Sequence, residues 1–542
     1  MDDLNTLCRD FAAIKADRSN WESWWQQIAE RVLPSQAQFT TRDSEGEKRT
    51  ERIFTGRPII DCERFAAVLE DLLTPRTQMW HALAPEDDEI AEDQSVKEYL
   101  ERLNKAVYAQ RYRPSANFAS QKQQGYASIG AFGNSAMFID ERVGGGLRYR
   151  QCHLSEVYWK ESHEGRVDTV FREFDLEKRQ AEARAQEEGW QLPRQITECA
   201  DPYKKFTFLH VTRPNAERME SRRDYRGMPF SSHYLVPEFK HTCKVGGYWS
   251  WPWAIGRYHL GVREMYARSP AMAAWGAILT LNEEKKTVLR AGQKEVDPPV
   301  LLQEDGLLDA FNMRSGALNY GAVSNDGTPL AIPFKGGANV PLGLELMQLE
   351  QMEIEESFLV SIFKILAEHP QMTATQVLEI TQQKATLLAP TMGRMQSEDL
   401  GPQLEREIDL MSRDSRFGWI TEDMPDSLRD AGGAYKIEYR SPLARAMRSQ
   451  DGVAIMRTFE ALPAAASIDP NAALVIDVPA SLRELAEING VPAKLMRDKK
   501  TVEAMQAKKA QDDAQAQAAS MAPEMSQAAL NAAKAEQLRA AV

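Results

Sequence analysis

The stretch that organises this chain is Pro270–Glu295, PAMAAWGAILTLNEEKKTVLRAGQKE, which runs straight into VDPPVLL ending at Leu302. Its pattern predicts one long helix. The Pro298-Pro299 pair stops it, because neither proline can donate the backbone bond that a continuing helix needs. Residues Val300 to Gly343 are rich in Gly and Pro and hold short apolar pieces such as VLLQ and LAIPF, which predicts a small β-containing module. A second long helix is expected next, with Leu344, Met347, Ile354, Phe358 and Ile362 on one side. Glu345, Glu353 and Glu356 cluster on another, within about 80° of each other at helical pitch. Two long helices flanking a β module make a down-and-up pair with a tip.

Toward the C-terminus, Pro370 disfavours helix at His369, so the chain must turn within Lys364–Gln371. Thr373 with Gln376 in MTATQV forms a capping-box start. The helix it opens should reach about Ser412, bent by Pro390 and Pro402. Ala434–Tyr439 (AYKIEY) reads as a strand, and SPLARAMRSQ as the start of another helix. The last 42 residues hold 15 alanines and 6 glutamines, with no glycine or aromatic. That composition favours helix but buries little, so it makes either a frayed tail or a helix that needs identical neighbours.

Toward the N-terminus, SNWESWWQQIAERVL places Trp21, Trp24, Trp25, Ile28 and Val32 at helical spacing before Pro34. A second helix through IIDCERFAAVLEDLLTP puts Ile60, Phe65, Val68, Leu69 and Leu72 on one broad face. A third ends near Arg113-Pro114, and the Gly-interrupted stretch from Phe118 ends in a strand-like run at Ile139. From Leu147 to Trp253 the signals are mainly β: LRYRQC, EVYWKES, VDTVFREF, KFTFLHVT and SHYLVPEF. One helix, DLEKRQAEARAQEEG, interrupts them and closes at Gly189. YWSWPW puts Trp249, Trp251 and Trp253 on one strand face. A packed sheet face explains them better than base stacking does, and Pro252 makes this an edge strand.

The 542 residues exceed one compact core, and apolar (43%) and charged (27%) fractions sit in the globular range. The longest apolar stretch, Ala271 to Leu281, is too short to cross a bilayer, and the acidic N-terminus has no apolar signal region. Five scattered cysteines without a Cys-x-x-Cys spacing argue against a disulfide framework. A net charge of −13 argues against tight gripping of phosphates, which works by releasing condensed counterions. No phosphate-cradling loop is present; GGANVPLG lacks the lysine. No dinucleotide fingerprint, H-E-x-x-H or G-x-S-x-G occurs either. Cys152-His153 with His163, or His241 with Cys243, could seed a metal site but lack a second paired ligand at suitable spacing. No catalytic residue, metal or cofactor is therefore expected.

Four segments, in order, carry a resemblance. LLTPRTQMWHAL and KVGGYWSWPWAIGRY stand at the expected early positions. YARSPAMAAWGAILTLNEEKKTVLRAGQKEVDPPVLL (Tyr266 to Leu302) looks like a Y-G-x-S-P…LN…PP stretch. MTATQV with LLAPTMGRMQSEDLGPQLER (Leu387 to Arg406) looks like M-T-A-T-E-V…L-x-P…R-x-x-x-E-x-L-x-P…R. Together, from about Trp21 to Asp498, the chain resembles the portal protein, or head-to-tail connector, of short-tailed (podovirus-type) bacteriophages. Ala267 stands where the family has Gly, and Gln376 where it has Glu, which still completes a capping box.

The resemblance implies an α+β, predominantly helical portal fold assembled as a ring, usually of twelve copies, around a channel for double-stranded DNA. Residues 1–265 would form the wing, 266–295 the first stem helix, 296–343 the clip and 344–363 the second stem helix. Residues 364–372 would form the tunnel loop, 373–460 more wing with a long kinked helix and a strand, and 461–542 the crown and helical tail. Lys364, Glu368, His369 and Gln371 of the tunnel loop would come nearest the DNA, and Glu345, Glu353 and Glu356 would face the channel. Implied partners are further copies of the chain, sequence-independent DNA, the terminase large subunit, a tail adaptor, the major capsid protein and the scaffolding protein, with no membrane. Such a protein works at the capsid vertex of the virion after assembly in the host cytoplasm. The alternative is an oligomeric virion or cytosolic scaffold ring without a DNA path. A third possibility, the packaging ATPase itself, conflicts with the missing phosphate loop.

Overall fold

The structure is a computed structural model. It describes residues 4–302 (with gaps within 42–52 and at 88, 92 and 143), 318, 322–333, 340–360, 393–440, 452–463, 476–488 and scattered residues from there to 512. The chain forms two units: Met1–Gln78 with Ala109–Asp414, and Met79–Tyr108 with Ser415–Val542. Both helical and sheet regions are present, so the α+β reading holds.

The first unit is built on a five-stranded antiparallel sheet of Val157–Glu161, Val167–Glu177, Lys205–Pro214, Phe230–Val236 and His241–Tyr248, in that order. All five β runs read from the sequence are strands. Their side chains alternate between the two faces, as a pleated backbone requires. Phe171, Leu209, Val211 and Leu235 point one way and are covered by Leu7, Phe11 and Ile14 of the Leu4–Asp17 helix. Phe174, Phe208, Tyr234 and Val236 point the other way, onto Trp190, Ala181 and Ile196. Ala181 belongs to the Lys178–Glu188 helix, which the left-handed Gly189 closes as expected. Arg18, almost fully buried, lies 3.4 Å from the Tyr158 ring centroid and donates to the carbonyls of Leu154 and Val157.

A second, three-stranded sheet sets Asn134–Glu141 between Leu147–Cys152 and Trp253–Arg257. Here YWSWPW departs from its reading as one strand. Regular pairing ends at Tyr248 and resumes at Trp253 in the other sheet, so the run is a crossover. Pro252 still marks an edge: its carbonyl accepts from Ile139 N–H at 2.9 Å. Trp253 is buried, Trp251 packs on Phe230, and Arg413 lies over Trp249, so the three indoles form no common face.

The Ser19–Val32 helix buries Trp25, Ile28 and Val32 and ends before Pro34. The Arg57–Leu73 helix buries Cys62, Phe65, Val68 and Leu69, whereas Ile60, read as part of that face, is exposed. Phe118–Phe132, read only as a Gly-interrupted stretch, is a helix. Its Gly130 is a contact point, since a Cβ there would stand 2.9 Å from Phe65 Cδ1. Such closeness brings the two helix backbones together and outweighs the helix-propensity cost of glycine. Residues 393–413 are helical, with π-type turns at Gln396–Leu400 leading into Gly401–Arg413. Pro402 sits in that first turn, where the widened winding accommodates a residue without an N–H.

In the second unit, His81–Pro85 pairs antiparallel with Tyr435–Tyr439, the strand read from AYKIEY. The Gln94–Arg111 helix ends two residues before the expected Arg113. Its Asn104 side chain donates to the His81 carbonyl, and Tyr99 O–H to that of Ile420. SPLARAMRSQ and most of the Ala/Gln tail lie outside the described residues.

Candidate functional site

The helix pair read first from the sequence exists, with shifted ends. Pro270–Ala273 is a separate turn capped by Ser269, whose Oγ accepts from Met272 N–H, and the long helix runs Trp275–Val296. Pro298 and Pro299 follow it as expected. Val300–Leu302 and Ala331–Pro333 then pair antiparallel, with Leu301 opposite Ile332, which supplies the small β element at the tip. The returning helix spans Val340–Ser357, and Phe363, its expected end, lies outside the described residues. Leu359 has φ +59, a left-handed backbone that stops an L-residue helix.

Across the pair the helices come close. A Cβ on Gly343 would stand 2.8 Å from Val288 Cγ2. Met347 and Ile354 are buried, and Phe358 meets the ring of Phe65 edge-on at 6.1 Å. Leu344, read on this apolar side, is 46% exposed. Polar clamps hold the base of the pair. Asn282 Oδ1 accepts from Phe54 N–H at 2.8 Å. Arg57 donates to Asp61 at 2.6 Å and to Glu355. Burial raises the Asp61 carboxyl above its ordinary range against the pull of Arg57. Within the seam, Glu284 Oε2 is buried without a hydrogen-bond partner, and burial, followed by the nearby Glu350 charge, pushes its carboxyl up.

Glu345, Glu353 and Glu356 are all exposed on the side away from this seam. The face is not purely hydrophilic: Leu342, Leu346, Leu349 and Met352 are exposed on it too. Sequence reasoning missed this interleaving because the helix was divided into one apolar and one acidic side. The i, i+4, i+3 spacing of Leu342, Leu346 and Leu349 was the available signal. Lys364, Glu368, His369 and Gln371 lie outside the described residues.

The chain re-enters the described region at Gly393, on the helix that holds the most buried charge. Glu407 is fully buried, accepting from Arg111 at 3.1 Å, from Tyr149 O–H at 2.7 Å and from Gln403 at 2.8 Å. Burial works against the Arg111 charge, but Glu407 outweighs it and holds the guanidinium firmly protonated. Lys122 reaches Asp399 at 2.7 Å, and burial still pulls its ammonium below the ordinary lysine range. Arg257 bridges Glu398, at 2.6 Å, to Glu161. Helix 393–413 is thus tied to the first unit's core on three sides by ion pairs. This network can position an element; it offers no open group for chemistry.

The residues weighed as metal ligands do not converge. His153 bonds Ser155 and the Gln36 carbonyl, His163 is exposed, His241 bonds the Gln191 carbonyl, and Cys243 is in the sheet core. Among the described residues no three potential ligands gather, and no helix is long and apolar enough to cross a membrane. The five cysteines are unpaired.

Comparison with known proteins gives matches along nearly the whole chain. It is 26% identical over 543 aligned positions to a probable portal protein of Bordetella phage BPP-1, covering 97% of this chain and 94% of that one. It is 24% identical to the portal protein of Salmonella phage epsilon15, with the same coverage. A chain from the virion of a native gene transfer agent particle aligns with 80% of this chain and 95% of its own length. Its 11% identity and TM-score of 0.35 are too low to bear on the fold. The family described as bacteriophage head to tail connecting protein matches residues 4–496, which takes in both sheets, the helix pair and the ion-paired helix. By that near-complete match, the chain belongs to the bacteriophage head to tail connecting protein family.

Proposed function

We propose that this protein is the portal of a short-tailed bacteriophage: a ring, of twelve copies by family expectation, through which double-stranded DNA is packaged and ejected. The observation that carries the reading is the family match over residues 4–496, together with relatives named as portal proteins along the same length. On this reading the helix pair is the stem, the segment between its helices the clip, residues 364–372 the tunnel loop and the C-terminal region the crown. The clip receives the terminase large subunit and later a tail adaptor. The outer regions meet the major capsid and scaffolding proteins. The protein is assembled in the host cytoplasm and ends in the virion.

Physical chemistry supports the assignment. Glu345, Glu353 and Glu356 are exposed on the stem, and carboxylates on a channel wall repel phosphates, so DNA passes without being held. Base-edge readout would hinder a conduit for a whole genome. The sequence carries no nucleotide-binding loop, which fits a channel rather than a motor, so the protein is no enzyme on this reading. Electron microscopy of the purified full-length protein tests it. Closed rings with a central hole wide enough for a duplex are expected, without nucleotide hydrolysis. Monomers only, rings closed at the centre, or hydrolysis that depends on a residue of this chain would overturn it.

A further inference from the structure

We propose that the stem joins neighbouring copies through two dissimilar faces: the Leu342–Glu345–Leu346–Leu349 stripe of one copy packs on the Leu289–Arg290–Lys294 face of the next. The proposal rests on the ring reading above and refines it. Glu345 moves from the channel wall to the subunit boundary.

The returning helix is apolar on two sides. One, Met347 and Ile354, is buried within the chain. The other, Leu342, Leu346 and Leu349, recurs at spacings of four and three and remains 50%, 45% and 61% exposed. Three leucines side by side form a contiguous apolar strip of the kind that marks an interaction surface. Phosphates offer such a strip nothing, so DNA is not its occupant. Glu345 sits beside it, exposed and without an ion-pair partner among the described residues.

The complement lies on the other helix of the pair. There Leu289 is 46% exposed, and Arg290 and Lys294, one turn apart, are exposed and lack ion-pair partners among the described residues. Glu283 and Lys286 on the same helix pair with each other at 2.9 Å, and Arg290 and Lys294 outnumber the one other exposed acid of that helix, Glu295, so the net charge here is positive. One copy therefore carries a leucine strip edged with negative charge and a leucine edged with positive charge, on different helices. A surface that matches a different surface of an identical chain gives a head-to-tail contact, and such contacts close into rings. Like charges would clash if either face met its own kind.

The full-length protein tests this by sedimentation over a range of concentrations, with circular dichroism to follow the fold. Leu346→Gln with Leu349→Gln, Glu345→Arg alone and Arg290→Glu alone should each raise the concentration for half-assembly by about tenfold or more. Glu345→Arg combined with Arg290→Glu should return it to within about threefold of the parent, because the pair is restored with its charges exchanged. If the parent forms rings and the single variants assemble as readily, or if the exchange rescues nothing, the assignment is wrong. All these side chains are exposed, so loss of the fold in the leucine variant would also count against it. A parent chain that stays monomeric at every concentration overturns the ring reading itself, and this one with it.

Discussion

Gly343 faces Val288 across the helix pair at a separation that leaves no room for a side chain, 2.8 Å from an ideal Cβ to Val288 Cγ2. Glycine inside a helix costs about 1 kcal/mol relative to alanine, so its presence here marks close backbone approach. Gly343→Ala should gain that propensity and lose about 1–3 kcal/mol to overpacking. Val288→Ala in the same chain should relieve the clash. The two substitutions should therefore couple favourably by about 1 kcal/mol or more in a double-mutant cycle read from thermal unfolding. Simple additivity would mean that the helices do not touch there.

The buried Arg111–Glu407 pair, 296 positions apart in sequence, should dominate the anchoring of the helix over residues 393–413. Glu407→Gln leaves a buried guanidinium without its counter-charge and should cost about 3–5 kcal/mol. Replacing the cluster together, with Arg111→Met, Tyr149→Phe and Glu407→Leu, should recover most of that loss, since no charge then remains to be compensated. Melting temperatures of the two variants make the comparison. A Glu407→Gln protein as stable as the parent would show that the pair contributes nothing.

His210 should make the protein acid-sensitive. It is buried, 3.0 Å from Ser232 Oγ, and stacked on Tyr234 with ring centroids 4.1 Å apart. Burial, followed by the charges of Arg184 and Arg172, pushes its pKa well below the ordinary histidine value. Below about pH 6.5 the unfolded chain takes up a proton that the folded one refuses, so stability falls as pH drops. The slope reaches about 1.4 kcal/mol per pH unit for each such group. His153, also lowered chiefly by burial, adds to the trend. His210→Gln should flatten the fall in melting temperature between pH 6.5 and 5, whatever it does at pH 8. An unchanged slope would place the titration elsewhere.

On the portal reading, the tunnel loop Lys364–Gln371 combines basic, acidic and weakly basic side chains, which suits transient contact with phosphates. Exchanging it for a short Gly/Ser linker should leave rings intact and impair retention of packaged DNA more than the start of packaging. Quantifying DNA in purified particles against initiation in a packaging reaction separates the two. Normal retention, or failure of rings to form, would assign the segment a structural role instead.

What the sequence determined by itself was local. Period-two alternation and β-branched content named four of the five strands of the large sheet, and Leu147–Cys152 of the smaller one, because a pleat alternates over two residues, and Pro34 and the Pro298-Pro299 pair bounded helices because a missing N–H acts where it stands. The helix pair and its β tip were legible for the same reason, as was the exposure of Glu345, Glu353 and Glu356. The tertiary structure decided which partner each surface met. Phe118–Phe132 was hidden as a helix because its glycines read as breaks, while Gly130 is there for contact with Phe65. YWSWPW looked like one strand because alternation cannot report a change of sheet. The leucine strip beside Glu345 went unseen because apolar spacing alone cannot tell a face buried within the chain from one left exposed. Arg111 and Glu407 could not be paired from sequence at all, since an ion pair across 296 positions leaves no trace in local spacing and exists only once the core has closed around it.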